Sequence, residues 1–157
     1  MFWTKKDLLM SKAKNVVEFA RTYAVQTYLE AQNDLAPKGI HLKRWELLFS
    51  VAVLNEFLFK YHQKTNYQQS EVAKKFYAKV IEEAVKSGMS EQVIEHCQIY
   101  VIDNVQKGQR RDQMIGTWII VNSKTSLITE EEFDMALRLG TAITFASEKL
   151  ADDSLAS

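Results

Sequence analysis

The sequence predicts an all-α fold, a single-domain bundle of about six helices around a buried central helix at residues 41–63. The chain has 157 residues but only five glycines and one proline. Because turns and strand connections draw on both residue types, this shortage indicates few, long elements. Residues 47–59 read LLFSVAVLNEFLF, and a helix that is apolar nearly all round lies in the interior of a domain. The other segments show the 3.6-residue apolar period of helices packed on such a core.

The first helix begins with a polar cap and ends before the only proline. Thr4 followed by Asp7 is a variant of the capping box, in which two side chains satisfy the free backbone N–H groups of a helix start. The apolar spacing predicts that this helix extends to about Asp34. The loop at residues 33–39 contains the proline, and the central helix at 41–63 follows it.

Serines and glycines delimit the next two helices. Ser70 is placed to cap a third helix after a polar turn, and Ser90 is placed to cap a fourth. Gly88 and Gly108 are placed to end these helices, because glycine readily adopts the left-handed conformation of the first position after a helix.

The segment at residues 112–122 is ambiguous. Its apolar residues share one helical face, which predicts a fifth helix. Residues 118–121, however, read WIIV, and aromatic and β-branched residues favour strands. A short strand is therefore the alternative for this segment.

A second capping box opens the last helix. Thr129 with Glu132 has the required spacing, and the apolar period continues to about Leu150. Residues 151–157 are small and polar, so we expect them to form a disordered tail. Residues 1–150 are predicted to form the single helical domain.

Composition and charge restrict the location and the partners. Lys plus Arg and Asp plus Glu are both 20, so the net charge is zero, and a neutral surface has no field to attract nucleic acid. The one basic cluster, Lys107, Arg110 and Arg111, lacks interleaved aromatic residues. A single cysteine allows no internal disulfide, and the apolar stretch is shorter than the roughly 20 residues that span a bilayer. We therefore expect a cytoplasmic protein without a membrane span or a nucleic-acid partner.

The sequence contains no motif for catalysis, a cofactor or a metal. His96 and Cys97 are adjacent, and neighbouring helical residues point about 100° apart, so these two side chains cannot pair. A thiol–imidazole dyad would need His41 or His62, and we expect Cys97 in the core. His96 and Asp103 share a helix face, but a zinc site uses more protein ligands than two. No catalytic, cofactor-binding or metal-ligating residue is therefore predicted.

The central helix carries a first candidate contact surface. Trp45, Phe49 and Val53 are spaced by one turn each and share a face with Glu56. Large apolar side chains with a charged rim are typical of interaction hot spots. Lys60 follows Glu56 by four residues and can pair with it, which lowers the cost of partial burial. The alternative is that this face is simply the exposed stripe of the helix, with its aromatic residues half covered.

Phe145 is a second candidate contact point. It lies in the polar stripe of the last helix, whose other members are Asp134, Arg138, Thr141 and Glu148. A lone surface phenylalanine needs no explanation, but an aromatic side chain surrounded by charges can also serve as a docking point.

These observations favour a non-catalytic protein that acts by protein–protein interaction or self-association. An adaptor, a chaperone-like protein, a toxin-neutralising partner and a homodimer all belong to this class. The predicted partner-binding residues are Trp45, Phe49, Val53, Glu56 and Phe145. The alternative is a bundle that binds a small apolar molecule in a tyrosine-lined cavity, with the candidate tyrosines Tyr23, Tyr28, Tyr61, Tyr67, Tyr77 and Tyr100. An enzyme is the third interpretation.

Overall fold

The computed structural model describes residues 4–35, 44–123 and 129–156. Over these ranges the fold is an all-α bundle of six helices without strands, which confirms the predicted class. A short 3-10 helix at Tyr67–Gln69 links the second and third helices. In chain order the helices are α1 (Lys5–Leu35), α2 (Trp45–Lys64), α3 (Glu71–Lys86), α4 (Glu91–Gln106), α5 (Arg111–Ser123) and α6 (Glu130–Ala156).

Three of the predicted N-terminal caps are confirmed by their hydrogen bonds. The backbone N–H of Asp7 donates to the hydroxyl of Thr4 (3.1 Å), and the backbone N–H of Thr4 donates to the carboxylate of Asp7 (3.2 Å). Thr129 and Glu132 form the same reciprocal pair before α6. Ser70 accepts a backbone N–H bond of 3.1 Å at the start of α3. Local sequence therefore determines where these helices begin.

The helix ends at Gly88 and Gly108 are also as predicted. Both glycines have a positive φ, 105° and 92° respectively, a conformation that costs glycine little because it has no Cβ atom. Ser90 occupies the N-cap position of α4, but its side chain makes no capping hydrogen bond. This start therefore depends less on its cap than the starts of α1, α3 and α6 do.

The second helix begins later than predicted. Residues 41–43 lie outside the described ranges, and α2 starts at Trp45. Arg44 has a left-handed backbone with φ 58° and ψ 23°. Because a helix requires a negative φ at each residue, the helical backbone cannot continue through Arg44.

Two expectations for the C-terminal third are resolved by the structure. Residues 112–122 lie within α5, so the strand alternative is wrong. The prediction of a disordered tail from residue 151 is also wrong as far as Ala156, where α6 ends. Ala151 is fully buried, and Asp152 pairs with Lys64 of α2 at 2.6 Å. These two contacts hold the additional turns of α6 against the bundle.

The longest run of buried residues in the described ranges belongs to α2. Every residue from Leu48 to Leu58 is buried, and α2 packs against α1, α4, α5 and α6. The hydroxyl of Ser147 in α6 donates to the carbonyl of Val53 at 3.3 Å. Ser147 is fully buried, so its small side chain lies within the close packing of the two helices.

Two glycines bring α5 and α6 into direct backbone contact. A Cβ atom on Gly116 would overlap the carbonyl oxygen of Ala136, and one on Gly140 would overlap the carbonyl oxygen of Asp112. Asp112 precedes Gly116 by one turn, whereas Gly140 follows Ala136 by one turn, so the two helices run antiparallel. Because the opposing atoms are backbone, they cannot rotate away as a side chain can.

Candidate functional site

The aromatic face of α2 is buried within the chain. Trp45, Phe49 and Val53 are essentially inaccessible to solvent, so the expectation that they form an exposed contact surface is wrong. Tyr28 and Tyr23 of α1 cover this face, with ring centroids 6.0 Å from Trp45 and 5.7 Å from Phe49. Tyr23 and Tyr28, which were candidates for lining a cavity, therefore pack against the core between α1 and α2.

Glu56 is buried with a partner from another helix. Its side chain is 1% exposed, and its Oε2 atom accepts a hydrogen bond of 2.9 Å from Nε of Arg111. The guanidinium group of Arg111 also stacks over the ring of Phe59, 3.4 Å from its centroid, a cation–π contact. Lys60 pairs with Glu148 of α6 at 3.7 Å. The predicted pairing of Glu56 with Lys60 is therefore replaced by an ion pair between α2 and α5.

The burial of Glu56 has an electrostatic consequence. Removal from water raises the pKa of its carboxyl group above the usual 4.5, although the charge and the hydrogen bond of Arg111 act in the opposite direction. No described residue donates a hydrogen bond to its other oxygen, Oε1. A buried carboxylate with one unsatisfied oxygen costs free energy, so Glu56 is a structural feature that depends on Arg111.

Phe145 alone among the five predicted partner-binding residues is exposed. Its exposed fraction is 76%, the largest among the exposed large hydrophobic residues of the described ranges. Ile99 and Ile102, on the outer side of α4, are each about half exposed. No sequence motif marks either isoleucine as a surface feature.

Cys97 and His96 do not form a catalytic pair. Cys97 is buried, and burial raises the pKa of its thiol to about 12, despite an opposing hydrogen bond with Asn55. His96 is exposed, and its Nδ1 atom accepts a hydrogen bond of 3.0 Å from the indole N–H of Trp118. The thiol is therefore protonated at neutral pH and is not a nucleophile.

A cleft lies between α1, the start of α2 and the turn between α3 and α4. Its volume is about 830 Å³, within the size range of ligand pockets. The cleft has no tyrosine, tryptophan or phenylalanine among the described residues of its lining, so the predicted tyrosine-lined cavity is not found there. Its apolar lining consists of Val17, Val25, Leu47 and Met89. Its charged lining consists of Lys14, Glu18, Arg21, Glu46, Glu83 and Lys86.

Glu83 is the unusual residue of this cleft. No sequence motif marks Glu83, but it is only 6% exposed. Lys79 and Lys86 both lie 3.6 Å from its Oε1 atom, which is too long for a hydrogen bond. The same two ammonium groups lie closer to Glu82, at 3.3 and 3.2 Å. Glu83 thus has neutralising charges nearby but no hydrogen-bond donor on Oε1.

Other site types receive no support from the described residues. The basic cluster is partly neutralised, because Arg110 pairs with Asp112 at 2.8 Å and Arg111 pairs with Glu56. No three His, Cys, Asp or Glu side chains in the described ranges are arranged to hold a metal ion. Among these same residues, no helix has the length and apolar character needed to cross a membrane.

Comparison with known proteins gives no relative. No protein-family model matches this chain, and no curated protein or solved structure matches it.

Proposed function

We propose that this protein acts by binding another protein or a second copy of itself, through a surface centred on Phe145. The observation that carries the proposal is the 76% exposure of this phenylalanine on a helix face with charged neighbours. Burial of a large apolar side chain at an interface releases water and contributes roughly 1.5–3 kcal/mol. Aromatic anchors inside a polar rim are the usual form of an interaction hot spot.

The charged neighbours of Phe145 suit the rim of such a surface. Arg138 and Thr141 precede it by seven and four residues, and Glu148 follows it by three, so all three lie on its side of α6. Thr141 and Glu148 are exposed. Glu148 is already held by Lys60 and Lys64 of α2, which limits its conformations. A side chain that is ordered before binding loses less entropy when a partner arrives.

The remainder of the molecule serves as a scaffold in this proposal. We propose that α2 is the central helix of the bundle, which is supported by its continuous burial from Leu48 to Leu58. A rigid α2 positions α6 through the contact of Ser147 with Val53 and through the ion pairs of Lys64. A cytoplasmic location also remains part of the proposal, supported by the single cysteine. Adaptor, chaperone-like and toxin-neutralising roles are all compatible with this mode of action.

Site-specific photo-cross-linking in the native host tests the proposal. A benzoylphenylalanine residue replaces Phe145 in one variant and Val72 of α3 in a matched control. Val72 is 72% exposed, so its accessibility matches that of Phe145 while it lies on a different helix. We expect one discrete cross-linked species from position 145, either the dimer or a complex with another protein, and none of comparable yield from position 72.

The same cross-linking experiment can contradict the proposal. If positions 145 and 72 give the same weak and heterogeneous products, Phe145 is an ordinary exposed side chain. Circular dichroism of both variants provides the control for folding, because neither substitution touches the core.

A further inference from the structure

The exposed face of α6 carries opposite charges at equal distances on either side of Phe145. Arg138 precedes Phe145 by seven residues, and Asp152 follows it by seven. Seven residues are close to two helical turns, about 10.5 Å, so the three side chains lie on one side of α6. Because the spacing is symmetrical, a two-fold rotation about Phe145 exchanges the positions of the positive and the negative charge. A face of this kind is complementary to itself.

Both charged groups are accessible to a second molecule. Arg138 is exposed and makes no ion pair with any described residue. The side chain of Asp152 is 60% exposed, and Lys64 contacts its Oδ1 atom at 2.6 Å. A carboxylate has two acceptor oxygens, so Oδ2 is available to a further donor. The side chain of Lys64 is only 25% exposed, so the carboxylate faces solvent more than the ammonium group does.

The positions of these groups select one alignment of two α6 helices. In a parallel two-fold pair, Arg138 would lie opposite Arg138 and Asp152 opposite Asp152. In an antiparallel pair centred on Phe145, Arg138 of each copy lies opposite Asp152 of the other, and the two phenylalanine rings meet at the two-fold axis. Sliding one helix by one turn separates the rings and, in one direction, places Asp134 opposite Asp152. Arg138 would then meet Glu148, but that attraction is opposed by the new repulsion.

We propose that the partner of the Phe145 surface is a second copy of this chain, bound through antiparallel α6 helices with Arg138 of each copy on Asp152 of the other. This inference rests on the proposed function and adds the partner and the alignment to it. Lys plus Arg and Asp plus Glu are both 20, so two copies approach without net repulsion. One pair of helix faces forms a small interface, so we expect a reversible dimer.

Charge reversal in the whole protein tests this alignment. Arg138→Glu places a carboxylate opposite Asp152 at both ends of the interface, and Asp152→Lys places an ammonium group opposite Arg138. Each variant alone should dimerise about tenfold more weakly than the wild type in sedimentation equilibrium, because two attractions become two repulsions. Arg21→Glu makes the same substitution at an exposed position of α1 and should stay within about twofold of the wild type.

An equimolar mixture of the two reversal variants separates this alignment from a general effect of charge. In a mixed dimer, the introduced carboxylate faces the introduced ammonium group at one end of the interface. At the other end, the native Arg138 faces the native Asp152. The mixture should therefore dimerise about tenfold more tightly than either variant alone. Far-ultraviolet circular dichroism checks that each variant keeps its helices.

Several results overturn this inference. They are a wild type that stays monomeric up to about 1 mM, equal weakening by Arg138→Glu and Arg21→Glu, or a mixture that dimerises no more tightly than its components. The comparison of Arg138→Glu with Arg21→Glu decides the question even if Asp152→Lys, which loses its contact with Lys64, fails to fold. A monomeric wild type that cross-links from position 145 to another protein would contradict this inference and leave the proposed function intact.

Discussion

The contact between α5 and α6 makes Gly140 the position where one added methyl group should have the largest effect. In Gly140→Ala the new Cβ would overlap the carbonyl oxygen of Asp112 and would lie 2.5 Å from the carbonyl carbon. Ordinary van der Waals contact begins near 3.4 Å, so the carbonyl carbon alone requires the helices to separate by about 0.9 Å, and the overlapped oxygen requires more. A gap of that size or larger forfeits at least a quarter to a half of the dispersion energy between the atoms it separates.

The expected magnitude combines two opposing effects. Overpacking against a backbone that cannot yield belongs at the upper end of the usual range, about 3 kcal/mol. Alanine is about 1 kcal/mol better than glycine inside a helix, which offsets part of this cost. The free energy of unfolding should therefore fall by about 2 kcal/mol, and Tm should fall by about 4–8 °C in a chain of this length.

Urea unfolding followed by circular dichroism measures this change. Thr141→Ala is the matched control, because Thr141 is the exposed neighbour of Gly140 and its change should stay within about 0.5 kcal/mol. Gly116→Ala should behave like Gly140→Ala, since its Cβ would lie 2.5 Å from the carbonyl carbon of Ala136. Stability of Gly140→Ala equal to or above that of the wild type would refute the close approach of α5 and α6.

Three further predictions concern the buried groups Glu56 and Cys97. Because burial raises the pKa of Glu56 above 4.5, the folded state keeps this proton to a higher pH than the unfolded state does. The wild type should therefore lose stability relative to Glu56→Gln as pH rises above 4.5; parallel urea-unfolding profiles would contradict this. Arg111→Met leaves Glu56 unpaired and should cost about 3 kcal/mol at neutral pH and less in mildly acidic buffer, whereas a pH-independent cost would argue against the ion pair. Cys97 should react slowly with thiol reagents in the native protein, because burial raises its pKa to about 12, and rapid modification at neutral pH would show an accessible thiolate.

The fold class and most element ends were predictable because they depend on local chemistry. The capping boxes at Thr4 and Thr129 involve residues three positions apart, and the positive φ of Gly88 and Gly108 is a property of single residues. The start of α2 was not predictable in the same way. Arg44 is an arginine with a left-handed backbone, and no local pattern indicates that conformation.

The candidate surface on α2 was wrong for a different reason. Glu56 and Lys60 mark one side of the helix as polar, so that side was expected to face solvent. Arg111, 55 positions later, neutralises Glu56, and α1 covers Trp45 with Tyr28. Pairings between residues so far apart in the sequence depend on the tertiary arrangement, which the apolar period of one helix does not predict.

The burial of Glu83 could have been predicted from the sequence but was not. The buried residues of α3 are Ala73, Phe76, Val80, Glu83 and Ala84, a spacing of three and four that includes the carboxylate. A charged residue within the apolar stripe of a helix indicates a buried charge, which needs a compensating partner. Lys79, four residues earlier, makes it resemble one half of an ordinary surface pair.

The most direct test of the proposed function is the affinity of the complex that forms through position 145. The dissociation constant of the dimer, or of the complex with the cross-linked partner, is measured by sedimentation equilibrium for the wild type, Phe145→Ala and Val72→Ala. Loss of an anchor costs about 2 kcal/mol or more, so Phe145→Ala should weaken association by about thirtyfold. Val72→Ala, at a position that is similarly exposed but lies on α3, should stay within about twofold of the wild type. An unchanged dissociation constant for Phe145→Ala would contradict the proposal that this surface binds a protein.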